Sequence, residues 1–137
     1  MKTVERIEYL SQLSMWRDKQ IVKVITGIRR SGKSTLMAQF QDVLVRSGIS
    51  REQILSVNFE DIANEALLDY KVLYSHLTER LIDDKQNYIF LDEIQMVPSF
   101  QRAVDSLLLR SNVDIYVTGS NAYLLSGEIA TLLSGRY

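Results

Sequence analysis

Cysteine is absent, histidine, proline and tryptophan occur once each, and no apolar run in the 137 residues is long enough to span a bilayer. Without cysteine there can be no disulfide. A lone histidine leaves a structural zinc site without its usual ligands, which fits a cytoplasmic protein. The opening Met-Lys-Thr-Val-Glu-Arg is not expected to act as a secretory leader. The net charge is -1, from 16 Lys and Arg against 17 Asp and Glu, so no general attraction to nucleic acid or to an anionic membrane is expected. Low-complexity tracts, linkers and internal repeats are lacking too.

What is present is the 46% apolar and 24% charged content of a soluble globular protein, at a length that suits one domain with one sizeable core. Residues 1–137 are read as that domain, with an N-terminal helix over 1–20 ahead of a core over 21–137. Short apolar runs of strand type fall at 21–26, 54–59, 88–91 and 113–118. Between and after them, stretches of helical periodicity cover 33–46, 65–83, the segment from Pro98 to 110, and 122–133. Gly48 supplies the stop for the first of these helices. Strands alternating with helices predict a doubly wound α/β fold with a mostly parallel sheet in three layers. In the N-terminal segment, Tyr9 and Trp16 suit packing of the helix on the sheet better than stacking on a base. His76, with no clustered partner, reads as a surface or boundary residue.

The most specific stretch is Ile21 to Thr35, where Gly27, Gly32, Lys33 and Ser34 fill the fixed positions of G-x-x-x-x-G-K-[ST]. A triphosphate needs a ring of backbone N–H donors, and glycine lets a loop wrap closely enough to offer them. A helix opening at Lys33 aims free N–H groups and a positive dipole end at the same anion. Gly27, Arg30, Ser31, Gly32, Lys33, Ser34 and Thr35 are the phosphate-binding set, with Lys33 reaching the β- and γ-phosphates and Ser34 a ligand of Mg²⁺. The side chains of Arg29 and Arg30 stand at variable positions that usually face outward.

A second motif is Tyr88-Ile89-Phe90-Leu91-Asp92-Glu93. Two adjacent carboxylates at the end of a buried strand call for a cation, because unpaired burial is costly. In open α/β sheets that strand end faces the ligand crevice. Asp92 is the expected Mg²⁺ ligand opposite Ser34, and Glu93 the base for an attacking water. A third feature is Thr118-Gly119-Ser120-Asn121, where Thr118, Ser120 or Asn121 is expected to contact the γ-phosphate or the water. We take Asn121 into the catalytic set with Glu93 and Lys33. Arg136 suits an arginine finger or a structural role.

Gly-Ile-Arg-Arg-Ser-Gly-Lys-Ser-Thr, Phe-Leu-Asp-Glu-Ile-Gln and Thr-Gly-Ser-Asn…Leu-Leu-Ser-Gly-Arg-Tyr together resemble the AAA-type P-loop ATPase core of a prokaryotic family, in which a C-terminal domain of unknown function follows. The resemblance implies a P-loop NTPase of the additional-strand, catalytic-glutamate division, with sheet order 5-1-4-3-2. It also implies that strand five and a C-terminal part would follow Tyr137, so the chain is expected to be the N-terminal piece of a longer protein. The expected activity is Mg²⁺-dependent ATP hydrolysis driving conformational change in an attached domain or partner, or in a homo-oligomer. The alternative is a nucleotide-gated interaction module with negligible turnover of its own. A GTPase is disfavoured by the absence of Asn-Lys-x-Asp. A small-molecule kinase is disfavoured because the Asp92-Glu93 pair suits water activation.

Overall fold

The computed structural model describes residues 10–19, 21–25 and 30–119, the side chains of Arg30 and Ser31 excepted. Tyr9, Thr26, Gly27, Arg29, Ser120, Asn121, Arg136 and the expected helix over 122–133 therefore lie outside the described residues.

Four apolar runs form the sheet: β1 (Val22–Ile25), β2 (Ile54–Asn58), β3 (Asn87–Asp92) and β4 (Val113–Thr118). They pair in parallel in the order β1-β4-β3-β2, which is the 1-4-3-2 portion of the expected order. Every residue of β3 and β4 is buried, as befits central strands covered on both faces. Alternation along them writes two cores. Tyr88, Phe90 and Tyr116 face one side with Leu36, Met37, Phe40, Leu44 and Leu13. Ile89, Leu91, Ile115 and Val117 face the other with Leu73, Leu77, Phe100, Val104 and Leu107.

Helix α1 (Arg30–Arg46) supplies the first layer. It begins three residues before the expected Lys33, which places Lys33 a full turn inside it. Gly48, at φ 107, ends it: Ile49 N–H reaches back to the Leu44 carbonyl at 3.0 Å, a closure that favours glycine's left-handed freedom. On the opposite face lie α2 (Tyr70–Thr78) and α3 (Phe100–Leu107).

Several expected boundaries are corrected. In the segment read as one N-terminal helix, helix covers only 10–15 of the described residues, and turns follow at 16–18. The expected helix over 65–83 is two pieces, a 3-10 segment at Ile62–Leu68 and α2. Asp69 divides them, because it adopts extended backbone (φ -85, ψ 120) and its carboxylate accepts the N–H groups of Lys71 and Val72. Beyond Thr78 the chain turns, stitched down by Asn87, whose amide group bonds the backbone of Ile82, Lys85 and Asn112. Helix α3 stops at Leu107 rather than 110.

Candidate functional site

The first turn of α1 carries no acidic residue, so its free N–H groups and dipole leave positive potential at that end. Lys33 and Ser34 project from the next turn toward the C-terminal ends of β3 and β4. There the sequence places Asp92 and Thr118 as the last residues of their strands. Lys33, Asp92, Glu93 and Thr118 are all buried, at 5%, 7%, 6% and 0% exposure.

Each oxygen of Asp92 is held by a hydroxyl. Ser34 Oγ donates to Oδ2 at 2.5 Å, and Thr118 Oγ1 donates to Oδ1 at 2.5 Å. Thr118 also accepts from the Glu93 backbone N–H at 2.9 Å. Lys33 Nζ lies 3.4 Å from Glu93 Oε2 and donates to the Gly119 carbonyl at 3.0 Å. Gln95 Nε2 donates to Glu93 Oε1 at 2.7 Å. One ammonium thus faces two buried carboxylates across a cluster of hydroxyl groups.

Glu93 sits in the left-handed region (φ 61, ψ 51), which costs a residue with a Cβ about 1–2 kcal/mol. The turn it opens, the 3-10 segment Ile94–Met96, is anchored by fully buried Ile94 and Val97. Burying one such side chain contributes about 1.5–3 kcal/mol, so the two anchors outweigh the strain and hold the carboxylate at the strand end.

Of the sequence-derived candidates, Lys33, Ser34, Asp92 and Glu93 come together, and Gly32 and Thr35 lie on α1 beside them. Of Thr118, Ser120 and Asn121, only Thr118 is described, and its hydroxyl donates to Asp92 and accepts from the Glu93 N–H. Gly27 and Asn121 lie outside the described residues, and of Arg30 and Ser31 only the backbone is described. His76 is half-buried on α2, and burial with Arg80 nearby pushes its pKa down.

Sequence reasoning missed Gln95, although Phe-Leu-Asp-Glu-Ile-Gln was singled out. It also missed a second polar cluster at the other end of the strands. Lys23 of β1 and Asp114 of β4 form a buried ion pair there. Asp114 Oδ2 also accepts from the Asp18 N–H and the Tyr116 hydroxyl, each at 2.8 Å, and the Tyr88 hydroxyl donates to Asp18 at 2.6 Å. Burial pushes the Asp114 carboxyl up and the Lys23 ammonium down, while the Tyr116 phenol is raised and that of Tyr88 reaches about 12. The available signal was one charge of each sign inside an otherwise apolar strand.

Oxygen donors from Ser34 and Asp92 are the hard ligands that Mg²⁺ takes, and a buried ammonium beside a helix N-terminus suits phosphate oxygens, so these residues fit a magnesium–nucleotide ligand. Among the described residues no cluster of three or more His, Cys, Asp or Glu could hold a metal without such a ligand, and no helix is long and apolar enough to cross a membrane.

Residues 19–137 match the family described as AAA domain. An uncharacterized protein of Haemophilus influenzae is 44% identical over 135 residues, which is 98% of this chain and 34% of that protein. An uncharacterized protein of Methanocaldococcus jannaschii is 35% identical over 120 residues, 84% of this chain and 24% of that one. The chain thus spans about a third and a quarter of these relatives. Among solved structures, PCH-2 of C. elegans is similar in fold, with a TM-score of 0.53 at 17% identity over 96% of this chain and 38% of that one.

Proposed function

The chain belongs to the AAA domain family, and from that premise we propose that it binds ATP with Mg²⁺ and hydrolyses the γ-phosphate. The single observation that supports this most is the convergence of Lys33, Ser34, Asp92 and Glu93 in one buried cluster at the mouth of α1. In this reading the phosphates lie along the N-terminal turn of α1, which includes Arg30, Ser31 and Gly32, and on the preceding loop with Gly27. Lys33 Nζ would hold phosphate oxygens in place of Glu93, and Ser34 and Asp92 would hold the metal. Bound Mg²⁺ would neutralise charge developing on the phosphate oxygens.

Glu93, released from its ammonium partner, is then the carboxylate placed to take a proton from water. Thr118 keeps its role throughout, since its hydroxyl fixes the side chain of Asp92 and the backbone of Glu93 together. Asn121 would complete the catalytic set, and Arg136 remains a candidate finger. Hydrolysis would act on the rest of a longer cytoplasmic protein, on a partner or on a second copy. The nucleotide-gated module is favoured by one observation: Lys33, the lysine assigned to phosphate, pairs with Glu93 at 3.4 Å.

Glu93→Gln should retain ATP binding and lose at least a hundredfold in turnover, whereas Lys33→Ala should lose both. Binding of a fluorescent ATP analogue and phosphate release measure the two. Turnover at the parent rate in Glu93→Gln would remove the base from this account, and unaltered binding in Lys33→Ala would remove the phosphate site.

A further inference from the structure

We infer that Gln95 is a positioning residue for the catalytic carboxylate, a role that rests on the ATPase reading above. Among the described residues Glu93 has two side-chain partners, and they differ in what nucleotide does to them. Lys33 holds Oε2 from 3.4 Å and is also the cation that a triphosphate requires. Gln95 holds Oε1 through Nε2 at 2.7 Å and has no charge to offer a phosphate. When Lys33 is taken, Gln95 is the side-chain partner that remains on Glu93.

The geometry suits that duty. Glu93 and Gln95 lie at the two ends of a three-residue span whose middle residue, Ile94, is fully buried. The turn is closed by the Met96 N–H to the Glu93 carbonyl at 3.1 Å and the Val97 N–H to the Ile94 carbonyl at 3.0 Å. A donor on a turn so anchored moves with the carboxylate and not independently of it. The orientation of the amide is fixed by chemistry, because reversing it would set a carbonyl oxygen against the carboxylate. That leaves Gln95 Oε1 buried with no partner among the described residues, an acceptor close to Glu93 that can take a hydrogen from a water held by the base. Gln95 therefore fixes the direction of Glu93 after the lysine has gone and offers the water a second oxygen.

The test uses the full-length protein and Gln95→Met, which keeps the volume and loses the amide. The expected result is a kcat about tenfold lower, with the ATP-analogue Kd within twofold of the parent and an unchanged melting temperature. A kcat within twofold of the parent overturns the inference. So does a Kd that weakens in step with kcat, which would mark a structural role. Should Gln95→Met fold poorly, Gln95→Ala with the same two readouts decides by the same criteria. Glu93→Gln, run alongside, separates the two claims. If it is inactive while Gln95→Met is normal, only Gln95 is wrong; if it retains full turnover, Glu93 is not the base and the role of Gln95 falls with it; if the parent protein releases no phosphate from ATP, the ATPase reading itself fails.

Discussion

The two ends of the sheet carry polar clusters of similar burial and opposite character. At the N-terminal ends of β1, β3 and β4, Lys23 and Asp114 cancel in charge, and the oxygens of Asp114 are taken by Lys23, the Asp18 N–H and the Tyr116 hydroxyl. Lys23 Nζ further donates to the Lys19 carbonyl at 2.5 Å, which ties the segment ahead of β1 to β4. At the C-terminal ends, one ammonium faces two carboxylates, the Glu93 backbone is left-handed, and the Lys33–Glu93 contact is a loose 3.4 Å. A fully satisfied network has nothing to gain from a ligand. A strained cluster with excess negative charge among the described residues, beside a helix N-terminus, gains from a cation and from an anion that draws the lysine away. Burial alone does not separate a brace from a site; unspent bonding capacity does.

The comparison is broken most decisively at Asp114. Asp114→Ala strands the Lys23 ammonium and should cost about 3–5 kcal/mol, read as a fall of roughly 10 °C or more in melting temperature. Replacing both partners, Lys23→Met with Asp114→Leu, should cost less than the single change. If Asp114→Ala melts with the parent, the N-terminal cluster is not a brace. Thr118→Val tests the other end. It removes the hydroxyl from Asp92 Oδ1 and from the Glu93 N–H, at a cost of about 1–3 kcal/mol. Turnover should fall by more than that loss of stability explains, and parent-like turnover would separate Thr118 from the site.

The smallest effect is alkaline. The folded chain raises the Tyr88 phenol from 10.0 to about 12, so folding favours its protonated form. That contribution is complete below pH 10 and declines as pH rises from there toward 12. Melting temperature should drop by a few degrees across this window, and Tyr88→Phe should flatten the decline. A parent-like slope in Tyr88→Phe would shift the cause to other groups, Tyr116 first.

How much of this was readable in advance depended on how local the cause was. Val113 to Thr118 is read to the residue because an apolar run bounded by Asn112 and Gly119 admits few other strands. The loop motif and Asp92-Glu93 are legible because short spacings encode them. Asp69 was not recognised as a divider, since only its extended backbone, and not the apolar periodicity around it, reveals the cap. The hydroxyl grip on Asp92 joins residues 58 and 26 positions away, and the Lys23–Asp114 pair spans 91. Such contacts follow from the order of strands, which composition cannot supply. Gln95 was passed over because an amide two residues beyond a carboxylate has no signature until the turn brings them together.

Strand β4 displays Asp114, Tyr116 and Thr118 on one side and Val113, Ile115 and Val117 on the other. It works as a ruler: at about 3.3 Å per residue, its brace and its hydroxyl stand some 13 Å apart, a span that no side-chain substitution alters. Inserting or deleting one residue within it would turn one polar end into the oily layer while the other kept its face. Length variation in relatives of this chain should therefore collect in the loops around β4 and spare the six residues between them.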